Sequence, residues 1–379
     1  MDTPFQNVLA AWPPERVASL IASATEADAC RARADTGRFD PLRLAALLSP
    51  AARPGLEAQA QAASAITRRR FGWTMQFFAP LYVSNYCCNA CVYCGFNRAA
   101  AVARRALSLD EAEAEADWLA RQGFAHLLLV AGDDRMHTPP AYFEALISRI
   151  AGRFASIQAE IYGLSREEYA GLVTAGCDGI TMFQETYDPA RYRALHPAGP
   201  KADFADRLDT PERAAAAGMT FLGIGALLGL HDWRTEAFYT GLHADHLQRT
   251  WWRSNVALSF PRMRPAHGCM PPPCPVGDAD LVQLMTALRI QLPDVGMTLS
   301  TREPAGLREQ LARICATKLS AGACTSPGGY SEKTDAEPQF DVADHRPLAE
   351  VRAALASLGF DPVLKDWDRA YHEPRQTRE

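Results

Sequence analysis

From residue 76 onward one pattern recurs, a short apolar run followed by a stretch with helical spacing, and this recurrence limits the possible folds more than any other feature of the sequence. The runs near residues 77–84, 126–131, 157–162, 179–184, 219–225, 255–260, 295–300 and 317–322 read as strands. Helical periodicity is plain between them at Leu109–Gln122, Pro140–Phe154, Glu167–Ala175, Thr210–Ala217, Glu236–Arg249 and Asp278–Leu292. Ser108 and Asp209/Thr210 stand where N-caps belong, and Gly123, Gly176 and Gly218 where helices end. Strands alternating with helices imply a parallel sheet. Eight such units in about 245 residues match a (β/α)8 barrel of the TIM type, an α/β fold.

The expected organisation is an N-terminal helical extension over 1–75, the barrel over 76–324, and a short C-terminal extension over 325–379 packed on the barrel. The first extension shows amphipathic stretches at Val17–Ala22, Pro41–Leu48 and Leu56–Arg70, with Asp40 capping a helix that has proline in its first turn. The second holds one helix around Leu348–Leu358 and a charged, proline-containing end that is expected to fray.

Chemistry concentrates at the strand ends. After the first strand, Cys87, Cys91 and Cys94 form a C-x3-C-x2-C spacing, so three thiolates can converge from one loop on one inorganic centre. Three protein ligands leave one coordination position open, as a catalytic centre needs. Thiolates suit iron–sulfur clusters, Cu(I) and zinc. A zinc-bearing scaffold without catalysis is the alternative, although no His or further Cys follows at finger spacing. Cys88 offers a shifted register, but Tyr93 and Gly95 around the last cysteine favour the set Cys87, Cys91 and Cys94.

A net charge of −5 gives no basic footprint for nucleic acid. No apolar run approaches the ~18–20 residues of a membrane span, and the N-terminus lacks an export signal. A cytoplasmic location is therefore expected, with the ten cysteines kept as thiols or ligands. Cys30, Cys177, Cys315 and Cys324 read as small core residues, and Cys269-x4-Cys274 as part of a mobile, proline-rich loop.

The remaining strand ends are polar. Ala131-Gly-Asp-Asp134 follows the second strand, and Phe183-Gln-Glu-Thr-Tyr-Asp188 the fourth. Arg207-Leu-Asp-Thr-Pro-Glu-Arg213 precedes the fifth, which ends in Gly223-Ile-Gly-Ala-Leu-Leu-Gly229; a G-x-G there lets a ligand approach the backbone closely. Ser259-Phe-Pro-Arg-Met-Arg264 ends the sixth, where the fork of Arg262 suits a carboxylate. Leu299-Ser-Thr-Arg-Glu303 and Lys318-Leu-Ser-Ala-Gly322 end the last two, and Ser300, Thr301, Arg302 and Ser320 are groups able to fix an amino acid.

Taken together with Pro327-Gly-Gly-Tyr330 and Lys365-Asp-Trp-Asp368, these segments resemble the 2-iminoacetate synthase (tyrosine lyase) family of radical S-adenosylmethionine (SAM) enzymes. The likeness extends over about residues 10–370. It implies a [4Fe-4S] cluster on Cys87, Cys91 and Cys94, with SAM held near Tyr93, Gly132, Asp133, Gln184, Arg207, Gly223 and Gly225. It also implies cleavage of the Cα–Cβ bond of L-tyrosine, with Arg262 anchoring the carboxylate, Ser300 and Ser320 assisting, and Glu185 handling the phenolic proton. Thiazole synthase as recipient of 2-iminoacetate and an electron donor such as flavodoxin or ferredoxin are the implied partners. Asp133 stands where the family commonly has glutamate, and Ile161-Tyr-Gly163 replaces a more usual glutamine-proline stretch, which puts Tyr162 where it could touch SAM or substrate. Tryptophan lyase is the nearest alternative activity.

Overall fold

The computed structural model describes residues 4–35 and 37–364, so the Lys365–Asp368 motif and the frayed end expected from the sequence lie outside the described residues. Eight parallel strands form the barrel: β1 (Thr74–Ser84), β2 (His126–Ala131), β3 (Ser156–Glu160), β4 (Gly179–Glu185), β5 (Phe221–Ala226), β6 (Asn255–Ser259), β7 (Gly296–Leu299) and β8 (Lys318–Ser320). They pair in chain order, and β1 closes the ring by pairing with both β8 and β2. The expected (β/α)8 architecture is present, with strand ends close to those read from the sequence.

Alternation along the strands separates two environments. On β1, Phe77, Ala79, Leu81 and Val83 join the apolar layer shared with the helices, whereas Phe78 and Tyr82 turn inward to meet Leu128 and Val130 of β2. Small residues at inward positions, among them Gly223, Ala257, Gly296 and Thr298, leave the barrel axis unfilled. A cavity of about 420 Å³ runs along that axis to the C-terminal ends of the strands.

Local chemistry explains the helices. Ser108 accepts from the Glu111 amide while Glu111 reaches back to the Ser108 amide, a reciprocal cap that starts the helix Leu109–Arg121; Ser165 and Glu168 do the same for Arg166–Ala175. The helix expected from Thr210 instead runs from Phe204 to Ala216, capped by Asp203, with Pro211 inside it. Proline in an internal position misleads a reading that treats it as a start signal. Four short helices, Phe5–Ala10, Glu26–Ala34, Pro189–Leu195 and Ala305–Ile314, have no counterpart among the helices expected from the sequence.

Helix Leu56–Phe71 packs on Asp278–Gln291, where Gln59 Nε2 donates to the Gln283 carbonyl at 3.1 Å and to Thr286 Oγ1 at 2.9 Å. A ninth strand, β9 (Asp361–Val363), pairs with Thr74–Gln76 at the start of β1. Gln76 also pairs with Lys318 of β8, so β9 lies on the opposite edge of β1, below β2. The preceding segment crosses the barrel mouth: Tyr330 donates to the Pro80 carbonyl at 2.7 Å, and Asn85 Nδ2 donates to the Glu337 carbonyl at 3.3 Å. No helix among the described residues is long and apolar enough to cross a membrane.

Candidate active site

The cysteine loop leaves β1 just past a register shift between Tyr82 and Ser84. Loop carbonyls have no strand partner, and Arg104 takes their place by donating to Asn85, Phe96 and Asn97 oxygens at 2.5, 2.9 and 2.6 Å. Asn97 Nδ2 donates to the Cys91 carbonyl at 2.9 Å, and the Cys88 amide to the Asp133 carbonyl at 2.8 Å. Gly132 is needed for this approach, since a Cβ there would lie 2.2 Å from the Tyr86 oxygen. Gly132 thus supports the loop by its lack of a side chain.

Cys91 is buried, Cys87 and Cys94 partly so. Burial pushes the Cys87 thiol up to about 11, and the neighbouring Cys94 adds to this. Burial likewise pushes Cys91 up to about 12, with Lys201 opposing and Cys94 and Cys87 reinforcing the rise. Such thiols ionise only beside a strong positive centre, which a bound metal supplies. A donor set of three thiolates, without imidazole or carboxylate, fits an iron–sulfur cluster with one iron left for an outside ligand.

Beside the loop lies a charged cluster around Glu185. This residue has φ 69°, the one positive value at a non-glycine among the described residues, and sits at a register shift between β4 and β5. Backbone strain of this kind persists where surrounding contacts impose it. The contacts are Lys201 Nζ at 2.5 Å and Arg207 at 3.6 Å from the Glu185 carboxylate. Burial alone would raise its pKa, but Lys201 and then Arg207 hold it below the ordinary range. Glu185 is therefore neutralised by two cations instead of standing ready for a phenolic proton. It is also absent from the lining of the axial cavity.

Lys201 was not singled out in the sequence. Its backbone amide donates to Asn89 Oδ1 at 2.9 Å, and Asn89 Nδ2 donates to Asp133 Oδ2 at 2.8 Å, which ties residues 199–201 and Asp133 to the cysteine loop. Gly199, at φ 99°, permits that contact, because a Cβ would meet Asn89 at 2.2 Å. Tyr93 meets buried His196, with its hydroxyl 2.6 Å from Nε2. Burial, aided by Lys201, pushes His196 down to about 3, so the ring is neutral. Its Nδ1 lies 2.8 Å from the Tyr192 carbonyl and must donate there, so Nε2 accepts from Tyr93.

Gln184 is buried, with Nε2 3.5 Å from the Phe204 carbonyl. Arg207 Nε donates to the Phe183 carbonyl at 2.9 Å, which holds the fork beside Glu185. A second cavity of about 790 Å³ opens here, lined by Cys88, Asp133, Tyr162, Lys201, Arg207 and Arg213. The Tyr162 hydroxyl is already given to the Thr138 carbonyl at 2.6 Å.

The axial cavity carries the groups suited to an amino acid. Arg302 enters it from the turn after β7 with its guanidinium 3.3 Å above the centre of the Phe340 ring. It has no carboxylate partner within ion-pair distance among the described residues. Ser300 Oγ accepts from the Arg302 amide at 3.3 Å and Ser320 Oγ from the Thr301 amide at 3.0 Å, so both line the cavity from fixed positions. Glu160, at the end of β3, also faces in. The sequence contained part of its signal, since Gln158 and Glu160 occupy alternate positions of a short strand and so share one face, which the closed barrel turns inward.

Two expectations change with these positions. Arg262 does not line the cavity: Nε lies 3.0 Å from both oxygens of buried Glu303, and Nη1 donates to the Val276 carbonyl at 3.1 Å and to Asp278 at 2.7 Å. Its fork is taken by a protein carboxylate, which the sequence concealed because Glu303 lies 41 residues away. Gly223 lines the cavity, but Gly225 does not. A Cβ at Gly225 would stand 1.8 Å from the Ser259 carbonyl and 3.2 Å from the Phe183 ring, so its small size serves strand packing.

Known proteins resemble this chain along most of its length. Residues 81–240 match the Radical SAM superfamily and residues 259–361 the Biotin and Thiamin Synthesis associated domain. The chain is 40% identical over 336 residues to 2-iminoacetate synthase of Salmonella typhimurium, covering 88% of this chain and 89% of that protein. It is 40% identical over 324 residues to the Escherichia coli 2-iminoacetate synthase, covering 85% and 86%. Among solved structures, HydG, a maturase of the [FeFe]-hydrogenase, superposes with a TM-score of 0.89 at 32% identity, covering 94% of this chain and 81% of that one. With three thiols at the mouth of a barrel, and with relatives this similar along most of its length, the chain belongs to the 2-iminoacetate synthase family of the radical SAM superfamily.

Proposed function

We infer that this enzyme is a radical SAM carbon–carbon lyase that cleaves the Cα–Cβ bond of L-tyrosine, giving 2-iminoacetate and p-cresol. Family membership supplies the reaction class, and the observation that carries the substrate reading is Arg302, a guanidinium inside the axial cavity without a carboxylate of its own. An amino acid carboxylate completes it with two parallel hydrogen bonds. When bound, the [4Fe-4S] cluster and SAM supply a 5′-deoxyadenosyl radical as hydrogen-atom acceptor.

The chain's own contribution is placement and enclosure. Cys87, Cys91 and Cys94 would hold the cluster. SAM would lie between the loop and the charged cluster, with Asp133, Gln184, Arg207 and Gly223 near it and Tyr93 fixed by His196. Arg302, Ser300 and Ser320 would seat the amino acid, while Phe340 and the C-terminal segment exclude water. Arg262 drops from this set to a structural clamp on Glu303, and Glu185 to a counter-ion of Lys201 and Arg207. Thiazole synthase would receive 2-iminoacetate, a flavodoxin or ferredoxin would supply the electron, and the cytoplasm is the compartment where such an oxygen-sensitive thiolate site survives.

The test is anaerobic turnover of reconstituted enzyme with SAM, dithionite and either L-tyrosine or L-tryptophan. Tyrosine is expected to yield p-cresol and tryptophan nothing; an indole product with no p-cresol would make the enzyme a tryptophan lyase.

A further inference from the structure

Two acids line the axial cavity: Asp294, just before β7 and paired with Arg70 at 3.3 Å, and Glu160, which the lyase reading leaves unused. Glu160 comes from the end of β3 and is enclosed within the barrel, and no hydrogen bond or ion pair engages its carboxyl among the described residues. Elsewhere in the charged region each carboxylate is engaged: Glu185 by Lys201, Glu303 by Arg262, Asp133 by Asn89. Glu160 is partly buried, and an acid so placed without a partner is costly unless something arrives to satisfy it.

An α-amino acid is a zwitterion, and a cavity with one free guanidinium and one free carboxyl matches both of its ends. Resting on the lyase reading, we propose that Glu160 receives the ammonium group of the substrate and takes a proton from it, leaving a neutral amine. The step is a simple transfer: one N–H bond of the ammonium breaks, one O–H bond forms on the Glu160 carboxylate, and no electron moves. The transfer frees the nitrogen lone pair, which the ammonium lacks. Glu185 is unfit for this role because Lys201 and Arg207 already hold it as a carboxylate.

The groups facing Glu160 come from several elements. Arg302 enters after β7, Tyr82 from β1, Glu185 from the end of β4, and Lys201 and Arg207 from the segments that follow it. Burial raises the Glu160 pKa to about 7, with Arg302 opposing and Glu185 adding to the rise. The free acid is thus near half-protonated at neutral pH, suited to accept and return a proton.

Proton linkage gives a test that does not depend on turnover. Free enzyme at pH 7 carries about half a proton on Glu160 and free tyrosine carries one on its ammonium. The complex holds one proton between them wherever it sits, so binding releases about half a proton at pH 7. Release rises toward one near about pH 6 and falls toward zero above about pH 8.

The experiment is anaerobic calorimetry on cluster-reconstituted enzyme with SAM and no reductant, in buffers of different ionisation enthalpy. The titrants are L-tyrosine and 3-(4-hydroxyphenyl)propanoate, which lacks the amine. Expected are the pH-dependent release with tyrosine, none with the analogue through Glu160, and a loss of about tenfold or more in tyrosine affinity in Glu160→Gln with the analogue unaffected. The wild-type release stands as evidence even if the variant folds poorly. Tyrosine binding without proton release, and equally tight in Glu160→Gln, overturns the assignment and leaves the lyase reading intact. Failure of the wild-type enzyme to bind tyrosine at all overturns both.

Discussion

Cys91→Ala is expected to fold normally yet form no 5′-deoxyadenosine from SAM above background. The thiol is buried and the backbone carbonyl of Cys91 accepts from Asn97, so alanine keeps the loop's hydrogen bonds while removing one of the three proposed cluster ligands. The barrel has its own core in the layer between strands and helices, which the loop does not enter. Loss of one small buried side chain costs about 1 kcal/mol. The checks are iron and sulfide content, visible absorption after anaerobic reconstitution, thermal unfolding, and chromatography of the nucleoside products. SAM cleavage at the wild-type rate would show that the loop does not carry the cluster.

The second large effect belongs to Arg302. Arg302→Leu is expected to lower kcat/KM for tyrosine about 1,000-fold, and Arg302→Lys about 10–100-fold, because lysine offers a point charge where the guanidinium offers a planar fork. Arg302 holds no protein carboxylate, so its replacement leaves no buried acid stranded beside it as an ion-pair partner. Leucine forgoes the stacking of the guanidinium on Phe340, whose worth is small beside that of substrate binding.

Arg262→Leu provides the contrast. It strands Glu303, whose side chain is 4% exposed, and is expected to cost about 3 kcal/mol of stability with little change in tyrosine affinity per folded molecule. If instead Arg262→Leu abolishes tyrosine binding in protein that remains folded, and Arg302→Leu does not, the two arginines have been assigned the wrong way round.

The contrast between these arginines illustrates what a sequence discloses. Strand and helix periods are local, and local apolar spacing was enough to place eight strands in order and to put the cysteine loop after the first of them. The C-x3-C-x2-C spacing is likewise local, so the candidate cluster ligands can be named from it. Which strand-end arginine is free is a question about partners distant in the chain. Arg262 looked available because Glu303 and Asp278 approach it only when β6, β7 and the intervening loop are assembled. Glu185 looked available for the same reason, its partners being Lys201 and Arg207.

Glu160 went unnoticed from the opposite cause. One acid in a five-residue strand resembles an ordinary edge residue until ring closure shows that its face of the strand is inside. The helix start at Phe204 was hidden by Pro211, and β9 by its length of three residues. Each failure marks a place where tertiary structure overrides a local rule.

The claim on which the rest depends is that the bond between Cα and Cβ of tyrosine breaks in this cavity. L-tyrosine labelled with ¹³C at both carbons, incubated anaerobically with reconstituted enzyme, SAM and dithionite and followed by NMR, tests it directly. The Cβ label is expected only in the methyl group of p-cresol, and the Cα label only in 2-iminoacetate or the glyoxylate formed by its hydrolysis. Recovery of both labels, still coupled to each other, in one product would contradict it.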